Sequence, residues 1–232
     1  MFTVAILAGG LAKRLHPITE ATPKSLIEIL GKPFIDHQLS YLRTQGITSV
    51  VICIGHLGEM IQDVVGDGSK WGIKVSYSLD GSKLLGTGGA IQKALPLLGQ
   101  NFFIMYGDSY LPINFYEVQV EYSDSEKLGL MTIYKNRNEW DKSNVIYSDK
   151  KLLEYNKFLK KPSMHYIDYG LTILNAEAME NYPKGTNFDL AIVYNELSMR
   201  NELVGKEVFN RFYEIGSHSG LLDTSLFLER NK

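Results

Sequence analysis

The segment Phe2-Thr3-Val4-Ala5-Ile6-Leu7-Ala8-Gly9-Gly10 decides the fold class of this chain. A short apolar run without polar alternation reads as a β-strand buried on both faces, and the glycine pair as the turn that stops it. Outward from it the same unit recurs. Pro33 opens a segment with Ile35, Leu39 and Leu42 at i, i+4 and i+7, closed by Gly46, which predicts an amphipathic helix. Residues 49–54 read as a second buried strand, and Leu57, Ile61, Val64 and Val65 mark the next helix. Ile73, Val75, Tyr77 and Leu79 alternate as a third strand. After Gly86-Thr87-Gly88-Gly89 comes a helix carrying Ile91, Ala94, Leu95 and Leu98, whose last turns must accommodate Pro96. Residues 102–106 form a fourth strand ending at Gly107-Asp108.

This alternation predicts an α/β fold with a parallel sheet covered by helices on both faces. Ligands in such sheets bind where the strands end, at the carboxyl edge. The polar segments 9–14, 86–89 and 107–109 each follow a strand or precede a helix, as that rule needs. From about residue 128 the character changes: 128–134, 145–147, 152–155, 167–174 and 208–213 read as β segments. Ser148-Asp149-Lys150-Lys151 fits a hairpin connection, and 189–199 a helix with Leu190, Val193, Tyr194 and Leu197 inward. This half is expected to extend the sheet and build a lid over one end of it. No repeat, low-complexity tract or linker divides the chain, so one domain is expected over 1–232.

Composition removes several function classes. Net charge is −2 over 232 residues, so no global basic field exists to hold nucleic acid. No apolar stretch reaches the roughly 20 residues that span a bilayer, and no basic leader precedes the first strand. A cytoplasmic protein without membrane or nucleic-acid partners is expected. The single cysteine, Cys53, excludes an internal disulfide and lies in an apolar run, so it reads as core. His16, His37, His56, His165 and His218 show no ligand spacing and read as structural or surface residues.

Chemistry concentrates in the segment from Leu7 to Lys24. A glycine pair after a buried strand lets backbone N–H groups approach an oxyanion. Arg14 and Lys24 add a planar fork and a compact point charge, both suited to phosphate oxygens. The Walker and dinucleotide fingerprints are both absent, which sets aside a dehydrogenase. The segment resembles the N-terminal signature of the sugar-phosphate nucleotidyltransferase family, Leu-x-x-Gly-x-Gly-x-Arg-x-x-Pro-x-Thr-x-x-x-Pro-Lys. Gly10, Arg14, Pro17, Thr19, Pro23 and Lys24 match in register, and Ala12 stands where the family usually has glycine. Later segments continue the resemblance. Leu85-Gly86-Thr87-Gly88-Gly89-Ala90 is similar to the family's nucleotide loop, and Tyr106-Gly107-Asp108 to its metal-binding Gly-Asp. Lys157 resembles the lysine that grips the sugar phosphate, and the segment 166–171 the sugar-facing one. Glu214 in Glu214-Ile215-Gly216-Ser217 falls where the family commonly has a second metal-binding aspartate.

The resemblance implies a Rossmann-like, mostly parallel mixed sheet with a β-rich sugar-binding lid in the second half. It divides the domain into a nucleotide-binding half, 1–125, and a sugar-binding half, 126–232. The implied substrates are a nucleoside triphosphate and a hexose- or heptose-type sugar 1-phosphate, giving a nucleotide-sugar and pyrophosphate. Arg14 and Lys24 take catalytic roles; Leu7, Ala8, Gly9, Gly10, Gly86, Thr87 and Gly88 hold the nucleotide. Lys157, Asp168 and Gly170 hold the sugar phosphate, and Asp108 and Glu214 hold Mg²⁺ as cofactor. The chain's length is most similar to the short bacterial subgroup acting on heptose, mannose or N-acetylmuramate phosphates. A non-sugar phosphate or phosphonate acceptor, a catalytically silent nucleotide-binding subunit, and assembly of identical chains all stay open at this stage.

Overall fold

The computed structural model describes residues 1–10 and 21–231. β1 (Thr3–Leu7) is the strand expected from the opening run. A hairpin of β2 (Glu28–Ile29) and β3 (Lys32–Pro33) leads into α1 (Phe34–Thr44). Then follow β4 (Ser49–Ile54), α2 (Gly58–Val65), β5 (Lys74–Leu79), α3 (Gly86–Leu98) and β6 (Asn101–Tyr106). Next come β7 (Ser109–Tyr110), α4 (Phe115–Ser125) and β8 (Gly129–Lys135). β9 (Val145–Ser148), β10 (Lys151–Tyr155) and β11 (Tyr166–Asn175) precede α5 (Leu190–Met199). The chain closes with β12 (Leu203–Val208), β13 (Tyr213–Glu214) and α6 (His218–Arg230).

Among the described residues the main sheet has nine strands. Its centre, β5-β4-β1-β6, is parallel throughout, as helical crossovers require. β11 pairs antiparallel with β6, then branches: its other edge takes β8, which carries β12 in parallel, while its Tyr166 end meets β9. The strands of the second half therefore continue the same sheet. Strand alternation sends Val4, Ile6, Val50, Ile52, Phe103 and Met105 to one face, under α1, α2 and α4. Ala5, Val51, Cys53, Phe102 and Ile104 go to the other, under α3 and α5. The doubly covered α/β sheet read from the sequence is the observed architecture.

Two details differ from the sequence reading. The strand expected over 208–213 lies upstream as β12, and only Tyr213 of that stretch returns to strand, in β13. Gly205, Lys206 and Glu207 hide the strand pattern of β12, yet Gly205 is needed there: a Cβ would press against Leu152 and Tyr147 at 3.0–3.1 Å. Val64, expected inward on α2, is 42% exposed. The β9–β10 connection does turn at Asp149 and Lys150, with φ of 51° and 59°, as a tight hairpin needs.

β6 carries the turn on which the candidate site is built, and Phe103 is its anchor. The ring is fully buried, 5.3 Å from Phe115 and 6.0 Å from Phe2. Phe103→Ala is expected to cost about 3–5 kcal/mol of stability, the range for emptying a buried aromatic site. Urea unfolding of variant and wild type checks it.

Candidate functional site

A cleft of about 390 Å³ lies on the carboxyl edge of the parallel strands. Leu7, Ala8, Gly9 and Gly10, from the turn after β1, line one wall. Ala8 donates its N–H to the Cys53 carbonyl (2.9 Å) and Gly107 its own to the Leu7 carbonyl (2.9 Å), so three strand ends meet there. Cys53 sits on the cleft floor with its thiol pushed up to about 12 by burial, an inert core group as expected. Arg14 and the rest of 11–20, including Ala12 and His16, lie outside the described residues.

Lys24 and Asp108 meet in this cleft. The Lys24 ammonium donates to Asp108 Oδ2 at 2.8 Å, from a 3₁₀ turn (Lys24–Leu26) to the second residue beyond β6. Next to Lys24, the Ser25 hydroxyl is buried and has no hydrogen-bond partner among the described residues. Glu214 arrives through β13, which pairs antiparallel with β7 so that Glu214 faces Ser109. Ile215 N–H donates to the Asp108 carbonyl (2.9 Å), locking the two carboxylate-bearing segments together. A Cβ on Gly216 would stand 3.3 Å from the Lys24 ammonium, so Lys24 reaches the Glu214 loop as well. The Glu214 carboxylate accepts from Gly216 N–H and, at 2.8 Å, from the Ser217 hydroxyl. Among the described residues no group of three or more His, Cys, Asp or Glu side chains comes together.

The opposite wall is the 84–87 loop with the start of α3. Gly86 and Thr87 line the cleft, whereas Gly88 does not. Gly88 lies under the Phe188 ring, where any Cβ would overlap it, and donates its N–H to the Phe188 carbonyl (2.9 Å). The glycines of this loop thus admit the 186–188 segment as well as shaping the cleft. Asp80 and Asn187, which the sequence reading missed, also line it. Asn187 donates to the Leu84 carbonyl at 2.7 Å, and Asp80 accepts from Leu85 N–H at 3.0 Å. Burial raises the Asp80 carboxyl above its ordinary value.

Lys157 and Asp168 form a second group beside the cleft. The Lys157 ammonium pairs with Asp189 Oδ2 at 2.5 Å. Asp189 caps α5 through Ala191 N–H (3.0 Å) and accepts from the Thr87 hydroxyl at 3.2 Å. Burial alone would raise its carboxyl, but the Lys157 hydrogen bond and the other donors outweigh that and hold it below the ordinary range. Asp189 therefore ties Lys157 to the cleft wall, and the sequence showed it only as a helix start. Asp168 sits where β11 bulges against β8, and Gly170, at φ +105°, returns its N–H to Asp168 Oδ1 at 2.9 Å. Bulges of this kind re-aim side chains near sites. Burial, then the Asp168 charge, pushes the phenols of Tyr106, Tyr155 and Tyr194 up. Tyr106 lines the cleft, so it joins the two groups.

Comparison with known proteins gives a consistent result. The profile described as nucleotidyl transferase matches residues 3–231. An N-acetylmuramate alpha-1-phosphate uridylyltransferase of Neisseria meningitidis is 43% identical over 111 residues, 47% of this chain and 48% of that protein. A D-glycero-alpha-D-manno-heptose 1-phosphate guanylyltransferase of Campylobacter jejuni is 28% identical over 180 residues, 76% of this chain and 77% of that protein. For several curated relatives the match spans about half of their length or less. A crystal structure of a proposed glucose-1-phosphate thymidylyltransferase from Bacillus anthracis superposes with a TM-score of 0.86 at 21% identity, covering 100% of this chain and 96% of that one. That likeness shows the fold.

Asp168 gives the site a testable pH signature. Burial raises its carboxyl from 3.8 to about 6, against the lowering pull of Gly170 N–H and the Lys157 charge. With the folded value above the unfolded one, the folded state holds more protons between about pH 4 and 6, so Asp168 makes stability fall as pH rises through that window. Asp168→Asn removes this contribution. The stability of the variant relative to wild type should climb between pH 4 and 6 and level off above it, in urea titrations across that range. A flat difference would mean an ordinary carboxylate.

Proposed function

The chain belongs to the nucleotidyl transferase family, and on that premise we propose that it joins a sugar 1-phosphate to a nucleoside triphosphate, releasing pyrophosphate. The observation that carries this reading is the Lys24–Asp108 pair in a cleft walled by the glycine turn after β1. Such a reaction is in-line attack by a phosphate oxygen on the α-phosphorus. Its nucleophile is already anionic, so no general base is needed. The difficulty is bringing two polyanions together and stabilising the charge that passes to pyrophosphate.

In this reading the amides of Gly9 and Gly10, with Arg14, hold the triphosphate, and Leu7 and Ala8 line the wall beside it. Gly86 and Thr87 shape the wall for base and ribose, with Gly88 behind them seating Phe188, and Lys24 lies between the substrates at the α-phosphate. The buried Ser25 hydroxyl is a further donor beside it. Lys157, oriented by Asp189, binds the acceptor phosphate, while Asp168 and the Gly170 bulge face its sugar. Residues 1–125 thus serve the nucleotide and 126–232 the sugar phosphate, with β9, β10 and the 157–168 segment as the lid. The two relatives named above act on N-acetylmuramate and heptose phosphates, which supports a sugar as acceptor. The buried single cysteine suits a cytoplasmic setting.

Mg²⁺ fits the donor set. Asp108 and Glu214 offer hard carboxylate oxygens on paired segments, and a site with only two such ligands leaves the remaining positions to phosphates and water, as Mg²⁺ prefers. When bound, the ion screens repulsion between the phosphates and steadies the leaving pyrophosphate. With Asp108 holding the ion, the Lys24 ammonium beside it would face the transferring phosphoryl group.

Pyrophosphate release from a matrix of five triphosphates against several sugar 1-phosphates tests the assignment, and silence in every combination with Mg²⁺ present overturns it. Lys24→Ala is expected to lower kcat about 10²-fold or more, the scale for one preorganised electrostatic contact. Lys157→Ala should weaken the sugar 1-phosphate by about 1.5–3 kcal/mol. It should spare triphosphate affinity, measured calorimetrically without sugar.

A further inference from the structure

We propose that Gln38, on α1, is a positioning residue that holds both metal-binding carboxylates through the backbone of the turn between β6 and β7. This rests on the assignment of Asp108 and Glu214 to the metal. Gln38 is 1% exposed. Its amide Nε2 donates to the Tyr106 carbonyl at 3.0 Å and to the Ser109 carbonyl at 2.7 Å. Those carbonyls bracket Gly107-Asp108, so one side-chain amide closes the turn that carries Asp108. Both partners being carbonyls, the nitrogen must face them, which settles the orientation of the amide.

The rest of the turn is tied elsewhere. Gly107 N–H goes to the Leu7 carbonyl, and the Asp108 carbonyl accepts from Ile215 N–H. Ser109 also belongs to β7, the strand opposite Glu214. Loosening the Gln38 contacts would therefore disturb Asp108 directly and Glu214 through the β7–β13 pair.

The other end of the amide identifies its purpose. Gln38 Oε1 is buried and has no partner among the described residues. A buried acceptor without a partner costs stability, and an apolar side chain of similar shape would avoid the cost. Such exceptions to polar satisfaction collect at functional sites. Gln38 lies 70 positions from Asp108 and is not among the residues lining the cleft, so it acts on the site only through the turn.

Gln38→Met keeps length and volume and deletes the donor. Its metal affinity is read by electron paramagnetic resonance, titrating Mn²⁺ into the protein saturated with the triphosphate that supports wild-type turnover, without sugar phosphate. Wild type and Asp108→Asn run alongside. The expected result is a folded variant, by circular dichroism, with Mn²⁺ bound about tenfold more weakly or worse, the scale for losing support behind a metal ligand. The Mg²⁺ needed for half-maximal activity should rise in step, with KM for sugar phosphate unchanged at saturating metal. Unchanged Mn²⁺ binding and Mg²⁺ requirement in a folded Gln38→Met would overturn the proposal while leaving the enzyme assignment intact. If Gln38→Met does not fold, Gln38→Glu, which opposes a carboxylate to the two carbonyls, is scored by the same criteria. Failure of both to fold makes Gln38 a folding residue and also overturns the proposal. If Asp108→Asn binds Mn²⁺ like wild type, the metal assignment itself falls, and this inference with it.

Discussion

The contact on which the site depends is backbone against backbone at the carboxyl edge. The turns after β1 and β4 approach so closely that a Cβ on Gly9 would stand 3.1 Å from the Gly55 nitrogen, and one on Gly55 2.9 Å from the Gly9 carbonyl oxygen. Parallel pairing of β1 with both β4 and β6 forces these ends to one edge. Side chains there would fill the space; without them, the edge becomes a cleft walled partly by main chain. Peptide N–H groups in such a wall favour an anion. The location of the cleft therefore follows from strand order and turn composition together.

Charge in the site is stored as ion pairs. Lys24 is held by Asp108 and Lys157 by Asp189, at 2.8 and 2.5 Å. Neither pair is deeply buried, the Lys157 side chain being half exposed, so neither is expected to add much to stability. What the pairs do is keep two cations oriented in and beside a cleft in a chain of net charge −2. On the proposed reading, an arriving phosphate would meet preset ammonium groups rather than mobile ones. The proposed reaction, highly anionic as it is, would then need no basic surface.

The sequence showed what lies within one element and its flanking turn. β1, β4, β6 and the helices between them declare themselves through local periodicity, and the glycine turns through composition. β12 escaped because Gly205, Lys206 and Glu207 interrupt its apolar pattern, although pairing with β8 makes it an integral strand. Asp189 and Gln38 escaped for a different reason. Their meaning lies in contacts 32 residues away at Lys157 and 68 away at Tyr106, and nothing in the local spacing encodes either. Glu214 was found through resemblance alone; its segment has no periodicity that would mark it.

The structure also gives a physical account of a glutamate at 214. A longer carboxylate has one more methylene to accommodate than an aspartate. Here the side chain folds back on its own loop, accepting from Gly216 N–H and the Ser217 hydroxyl. Ser217 is also the N-cap of α6, accepting from Gly220 N–H at 3.0 Å. The carboxylate thus lies at a helix N-terminus, where negative charge is favoured. A Cβ on Gly216 or Gly220 would collide with Glu214 atoms, so the two glycines make room for the longer arm. The loop and the helix start are therefore fitted to a glutamate at this position rather than to the shorter aspartate.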